Sequence, residues 1–471
     1  MRRSIASTVN FFVLAVVVVL LAACSMQPGS PSPTPAPPTV VEDAPTPTAT
    51  AAPTRTPTPR PVLPTPTPAP EVVSPCDADA DYYTVGLIAP LSQAQLWPRA
   101  IALQAGAGIA LDEINAAGGV LGRSLRLIPL DTQDDPQLGA QLAEELITDE
   151  CVLGIIGGIG PETAALAAVT ERYGLPFIVA EMAEDSLTAS RPAALFRIGP
   201  TATQVEEMTS HWLLEVGDYN GDGSLMAVVV AENSAMGDMA LEQAARQMAA
   251  HDIALETLRV DLPMEDFSPV IARIVAMEQA PDAILVHVAG DPGLQLVQQL
   301  LDAGIGPSKG TLLVAGRAAL DSTRFWQLVP AGVFTAVQRR GPWYASLNEI
   351  GLAFLDKYRL LSNQWPEWPA FAGYDSLYLL AAAATAAGTI EPAAVVTALE
   401  QSDVSLAGGH YRFPYNQANP PDGASTPLYS WHQWLDPQLL ILQYATAQQD
   451  SSTLDVVWPP VYRTSEGPVL R

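Results

Sequence analysis

The 471-residue sequence predicts an α/β fold built as two doubly wound, mostly parallel sheets. The first observation is the stretch CVLGIIGGIGPETAALAAVTERYGLPFIVA at 151–180. Its apolar run 152–156, bounded by Gly157 and Gly158, has the form of a buried parallel strand. A helix is expected over 162–173, ended by Gly174, and a second strand over 177–180. The second observation is that strand and helix patterns alternate before this unit, and the third is that the alternation restarts after Thr203. In such a sheet a ligand sits at the carboxyl end of a strand. Here that end is the loop from Gly157 to Pro161, with a helix amino terminus aimed at it.

In chain order, strands are expected at 84–89 and 124–131, and helices at 101–116, closed by Gly118 and Gly119, and at 136–149. The 151–180 unit follows. The second series has a helix to 216, strand 225–231, helix 239–251, strand 255–260, helix 267–278, strand 283–288, helix 292–303 and strand 311–315. Helices at 347–361 and 371–387 return to the first sheet.

The amino-terminal region is of another kind. Arg2 and Arg3 precede an apolar run at 11–21, too short to span a bilayer comfortably. The run ends in Leu21-Ala22-Ala23-Cys24, the pattern of a lipoprotein signal in which residues 1–23 are removed and Cys24 is acylated. Residues 24–75 follow as a Pro/Thr-rich disordered tether: 17 of the 43 prolines lie at 27–75. Such a segment cannot bury enough apolar surface to fold. Acyl chains on Cys24 would hold the folded part, 76–471, on the outer side of a bacterial cell membrane. With Cys24 acylated, Cys76 and Cys151 remain in an oxidising compartment. In a 2-1-3 strand order both fall at one edge of the sheet, so a disulfide between them is expected.

The net charge of −27 argues against nucleic acid and anionic membrane surfaces as partners. No G-x-S-x-G, C-x-x-C or H-E-x-x-H motif occurs, and the glycines at 157–160 carry no Walker lysine. No enzyme activity, catalytic residue, cofactor or metal is therefore assigned. Asp218, Asn220, Asp222 and Gly223 imitate the start of a calcium loop but lack its closing glutamate, so they are an Asx-rich turn. The five histidines show no ligand spacing. His287, near the carboxyl end of a second-series strand, either lines the site or is a hydrogen-bonded core residue. Glu144 and Glu145 form a solvated helix face.

VGLIAPLSQ (85–93), ALDEINAAGGVLGRSLRLIPLDTQDDP (110–136), FRIGPTATQ (196–204) and GYDSLYLLAAA (373–383) resemble, in order, the Leu/Ile/Val-binding family of ABC-transporter substrate-binding proteins. The resemblance implies a type I periplasmic-binding fold: two Rossmann-like lobes joined by a three-strand hinge, closing on a small ligand. The first lobe would comprise about 76–200 and 338–425, and the second about 201–337 and 426–471. It also implies an extracytoplasmic monomer that captures a small polar solute, amino-acid-like or amide-like, and delivers it to ABC permease subunits. The alternative is an envelope lipoprotein using the fold as a sensor or protein-partner regulator without transport.

By position in the family, Trp97 would lie over the ligand, Gly160 and Thr163 would face it after strand three, and Met182 and Glu184 after strand four. Met236, His287 and Arg317 would face it from the second lobe. These positions depart from the family's amino-acid anchors. The hydroxyls that hold a carboxylate are missing except at Thr163, Pro161 removes an N–H, and Glu181 and Glu184 are acidic. Arg317 stands where an acidic residue would hold an ammonium group. Branched-chain amino acids are therefore expected to bind weakly, and an uncharged, amide-like or cationic solute better.

Overall fold

The structure is a computed structural model that describes residues 81–93 and 96–465. The signal segment, the tether, Cys24 and Cys76 lie outside the described residues.

The first series runs β1 (Tyr82–Ala89), α1 (Trp97–Ala116), β2 (Ser124–Asp131), α2 (Pro136–Asp149), β3 (Val152–Gly157), α3 (Thr163–Tyr173), β4 (Phe177–Val179), α4 (Ser186–Ala189) and β5 (Leu195–Arg197). Its strands form one parallel sheet in the order β2-β1-β3-β4-β5. All of β3 is buried, as a strand covered by helices on both faces must be. The second series runs α5 (Ala202–Val216), β6 (Met226–Glu232), α6 (Ala235–Ala250), β7 (Ala254–Val260), α7 (Ser268–Val275), β8 (Ala283–His287), α8 (Gly290–Asp302), β9 (Leu312–Ala315), α9 (Ser322–Leu328) and β10 (Ala336–Arg340). Then come α10 (Glu349–Ser362), α11 (Trp368–Ala387), α12 (Pro392–Glu400), a hairpin of β11 (Asp403–Ser405) and β12 (His410–Arg412), and finally β13 (Leu439–Gln443) and β14 (Asp455–Trp458).

The second sheet has the order β14-β13-β10-β9-β8-β6-β7. Its five strands β6 to β10 are parallel, while β13 and β14 join antiparallel at the β10 edge. Strands β5, β10, β13 and β14 do not figure in the sequence reading. Each sheet has apolar clusters of its own. The paired parallel sheets are those of the type I periplasmic-binding fold.

On the first sheet, α1 and α11 meet backbone to backbone. A Cβ on Gly106 would lie 1.9 Å from the Ala370 carbonyl oxygen, and one on Gly373 would lie 2.0 Å from that of Leu103. Only glycine permits this approach. Helix α11 is apolar nearly all round because it is buried nearly all round. Among the described residues no single helix is long and apolar enough to cross a membrane.

The chain passes between the sheets three times, at 198–201, 341–348 and 435–438. On its last return it first pairs with β5: Arg197 N–H donates to the His432 carbonyl and Trp434 N–H to that of Arg197, both at 2.9 Å. Arg340, past the expected switch at 338, is still paired with Leu439 in the second sheet.

Candidate functional site

At the carboxyl end of β3, the loop to α3 is closed by the chain's own carboxyl group. Glu162 stands at the N-cap position of α3, makes no side-chain capping bond to the helix, and is completely buried. Its Oε1 accepts the Gly160 N–H at 3.1 Å, while Oε2 has no hydrogen-bond partner. Burial pushes its pKa up, the N–H groups of Gly160, Glu162 and Ile159 pull it down, and nearby Asp134 adds to the rise. Asp134, in the loop after β2, also has a buried oxygen, Oδ1, without a partner. A Cβ on Gly160 would lie 2.4 Å from Glu162 Oε2 and 2.8 Å from Asp134 Oδ1. Gly160 is thus the position that lets two carboxyl groups crowd this helix end. The Thr163 hydroxyl, the one hydroxyl expected to face a ligand here, donates instead to the Gly160 carbonyl at 2.6 Å and is buried.

Past β4, Glu181 is buried and accepts the Arg99 Nε–H at 2.6 Å. Burial opposes the charge of Arg99, but Glu181, with Glu367 and Glu162 behind it, outweighs burial and raises the pKa. Met182 is half-buried against the apolar cluster of this face. Glu184 is exposed and accepts the Ser186 hydroxyl, while its backbone carbonyl takes an N–H of the fully buried Arg197 at 2.5 Å. Trp97 is the first residue of α1 and not part of a loop, because proline at the following position is compatible with a helix start. Its side chain is 50% exposed.

From the second sheet, His287 ends β8 and Arg340 ends β10. Between them stands a residue absent from the expected set. Helix α5 opens with a capping box in which Gln204 N–H donates to the Thr201 hydroxyl at 3.0 Å and Thr201 N–H to the Gln204 side chain at 2.9 Å. One turn in lies Glu206, 3% exposed. Its Oε1 is 3.5 Å from His287 Nε2, and both Glu206 Oε2 and His287 Nε2 are buried without a hydrogen-bond partner. Burial pushes Glu206 up to about 8, and Arg340 pulls against that shift. Burial first, then Arg340, brings His287 down to about 4. Arg340 is itself lowered by burial; Glu181 and Glu206 favour its charge, and Arg99 and Arg317 oppose it.

Arg340 therefore links the sheets. Its charge reaches Arg99 and Glu181 on one side and Glu206 and His287 on the other. Of the other expected residues, Met236 stands apart from this chain, and Arg317 reaches it only through its charge, which opposes that of Arg340. Met236, in the first turn of α6, is 61% exposed. Arg317 pairs with Glu367 on the surface. Among the described residues no group of three or more metal-ligating side chains is arranged to hold a metal ion.

Glu206 was detectable in the sequence. Ala202, Val205, Thr209, Trp212 and Leu213 are the buried stripe of α5, and a glutamate within that stripe needs a reason. Arg340 was less so, because one of the two adjacent arginines, Arg339, is a structural residue that donates to the Pro342 and Pro366 carbonyls at 3.1 and 2.9 Å.

Comparison with known proteins supplies the family. The Leu/Ile/Val-binding protein homolog 7 of Brucella melitensis is 32% identical over 136 residues, which are 28% of this chain and 34% of that protein. The Brucella abortus homologue matches to the same extent. The match thus spans about a third of the length of these curated relatives. Among solved structures, LivJ of Streptococcus pneumoniae, in complex with isoleucine, is 20% identical with a TM-score of 0.62, covering 80% of this chain and 100% of that one. An ABC transporter substrate-binding protein from Sphaerobacter thermophilus is 19% identical with a TM-score of 0.65, covering 80% and 96%. At these identities the likeness establishes the fold. The family model for periplasmic binding proteins matches residues 83–423, and the chain belongs to that family.

Proposed function

We propose that this protein is an extracytoplasmic solute-binding lipoprotein that captures a small polar ligand between its two sheets and presents it to an ABC permease, without enzymatic activity. Acylated Cys24 and the 24–75 tether would hold it at the membrane. The observation that carries the reading is the run of charged and polar side chains from Arg99 and Glu181 through Arg340 to Glu206 and His287. It joins the carboxyl ends of both sheets, where α/β folds bind ligands. The names of the relatives, Leu/Ile/Val-binding and branched-chain amino acid transporter proteins, support a transport role.

A thermal-shift screen of the full chain with amino acids, amides, urea and polyamines tests it. A ligand at a hundred times its Kd stabilises by about 2.7 kcal/mol, a rise of a few degrees in Tm. A Tm unmoved by every solute would favour the alternative, a lipoprotein that uses the fold to sense or bind a protein partner. The observation favouring that second reading is Glu162, whose buried carboxyl group takes the Gly160 N–H in the loop where the family holds a ligand's carboxylate.

A further inference from the structure

Two carboxyl groups from different loops of the first sheet converge on one point. Asp134 stands in the loop after β2 and Glu162 in the loop after β3. The position that a Cβ on Gly160 would take lies 2.4 Å from Glu162 Oε2 and 2.8 Å from Asp134 Oδ1. Both oxygens are buried and have no hydrogen-bond partner, and the Glu162 side chain as a whole is 0% exposed. Its stem packs against α2, where a Cβ on Gly139 would lie 3.1 Å from Glu162 Cβ. Leu96 Cδ1, 3.1 Å from the point between the two oxygens, shelters that point on one side.

This pair differs from a solvated acidic face. Among the described residues neither carboxyl group forms an ion pair; the Arg99 guanidinium, whose charge acts on Glu162, is bonded to Glu181. Two like charges this close repel, and buried acceptors without partners are costly. The Gly160 N–H, donated to Glu162 Oε1 at 3.1 Å, favours the ionised carboxylate. A single shared proton neutralises one of the two charges. A divalent cation neutralises both and supplies the partner that both oxygens lack.

The donors name the class of cation. Both are carboxylate oxygens, which suit calcium and magnesium better than copper or zinc. Water and backbone carbonyls complete the coordination of such ions, so two side chains suffice where three are not assembled. We infer that Asp134 and Glu162 form a binding site for a hard divalent cation, calcium or magnesium, that ties the loop after β2 to the loop after β3. The two ions share the recognised chemistry, and separate titrations distinguish them. The inference does not depend on the solute reading above.

The test is calorimetric titration of the chelator-treated full chain with calcium chloride and, separately, magnesium chloride, at constant ionic strength. One of the two should bind with a Kd on the order of 0.1–1 mM or tighter, and saturation with it should raise Tm. Glu162→Gln and Asp134→Asn should each weaken binding at least tenfold, because each removes one charge at nearly constant shape. Glutamine keeps an acceptor for the Gly160 N–H, and asparagine tolerates the left-handed backbone of Asp134, φ 66°. Asp218→Asn, in the acidic Asx-rich turn, should leave binding unchanged. If Glu162→Gln does not fold, as judged by circular dichroism, Asp134→Asn carries the test. On a chain of net charge −27, cations also gather at the surface. Binding that survives both substitutions, or that Asp218→Asn abolishes, places the ion there and overturns the inference. No binding of either ion up to about 10 mM, above the range of extracellular calcium sites, also overturns it and leaves the two carboxyl groups sharing a proton.

Discussion

Glu206, His287 and Asp375 carry the strongest consequences at the scale of single residues, since each is buried with its pKa displaced. Glu206 stands at about 8 against an ordinary 4.5. The folded state therefore holds a proton that the unfolded chain releases, and stability falls as pH rises from 4.5 to 8. Asp375 accepts from the Ala407 and Gly408 N–H groups and the Tyr411 hydroxyl, yet burial lifts it from 3.8 to about 7, with the same sign up to pH 7. His287, lowered from 6.5 to about 4, works the other way: stability rises between pH 4 and 6.5. Above pH 7 His287 has finished titrating, and Glu206 carries more of the remaining decline than Asp375, whose pKa is about 7. Urea unfolding midpoints should decline from pH 7 to 8 in the wild type, and Glu206→Gln should flatten that decline. An equal decline in the variant would show that another group is responsible.

The same scale shows what the sequence conceals about the site. That the loop after β3 lacks hydroxyls, and that Pro161 removes a donor, is legible from residue types alone. That Glu162 folds back to accept the Gly160 N–H, and that the Thr163 hydroxyl turns to the Gly160 carbonyl, is decided by rotamers that no spacing reveals. Alignment to the family pointed to Met236 and Arg317, which the structure leaves exposed or paired on the surface. It passed over Glu206, which stands in a helix and not in a loop after a strand.

Among elements, the parallel strands were the most legible. Continuous apolar runs bounded by glycine or proline have few other uses in a soluble domain, and β2 and α2 begin and end where the pattern places them. Strands β13 and β14 were missed for a physical reason: β13 pairs antiparallel with β10, about a hundred residues earlier, and local alternation does not announce a partner so distant. The α1–α11 contact depends on glycines of ordinary appearance. Gly373→Ala would press a methyl group against the Leu103 carbonyl. Because the obstacle is backbone, the helices must separate, at a cost of about 1–3 kcal/mol. The chemical-denaturation midpoint should drop with little change in m. An unchanged midpoint would mean that the helices already stand farther apart.

For the whole molecule, anchoring and cross-linking remain expectations carried by Cys24, Cys76 and Cys151. Cys24→Ala should move the protein from the membrane fraction or leave its signal uncleaved; unaltered fractionation and mature mass would remove the lipid anchor from the account. A Cys76–Cys151 bond closes a loop of roughly 75 residues and would contribute on the order of 2–4 kcal/mol. Peptide mapping without reductant should recover the linked pair.

The whole-molecule reading turns on one feature of the loop before α3: the chain buries its own carboxyl group, Glu162, against the Gly160 N–H, in the loop where a family member would hold a ligand carboxylate. Calorimetric titration with leucine, on the wild type and on Glu162→Ser, tests this most directly. The wild type should bind leucine no more tightly than about 0.1 mM, since two lost charge-assisted hydrogen bonds weaken micromolar binding roughly a hundredfold or more. Glu162→Ser, which empties the seat and supplies a hydroxyl, should bind it more tightly. Micromolar leucine binding by the wild type, undisturbed in Glu162→Ser, would show that the carboxylate has another anchor and that Glu162 does not set the ligand class.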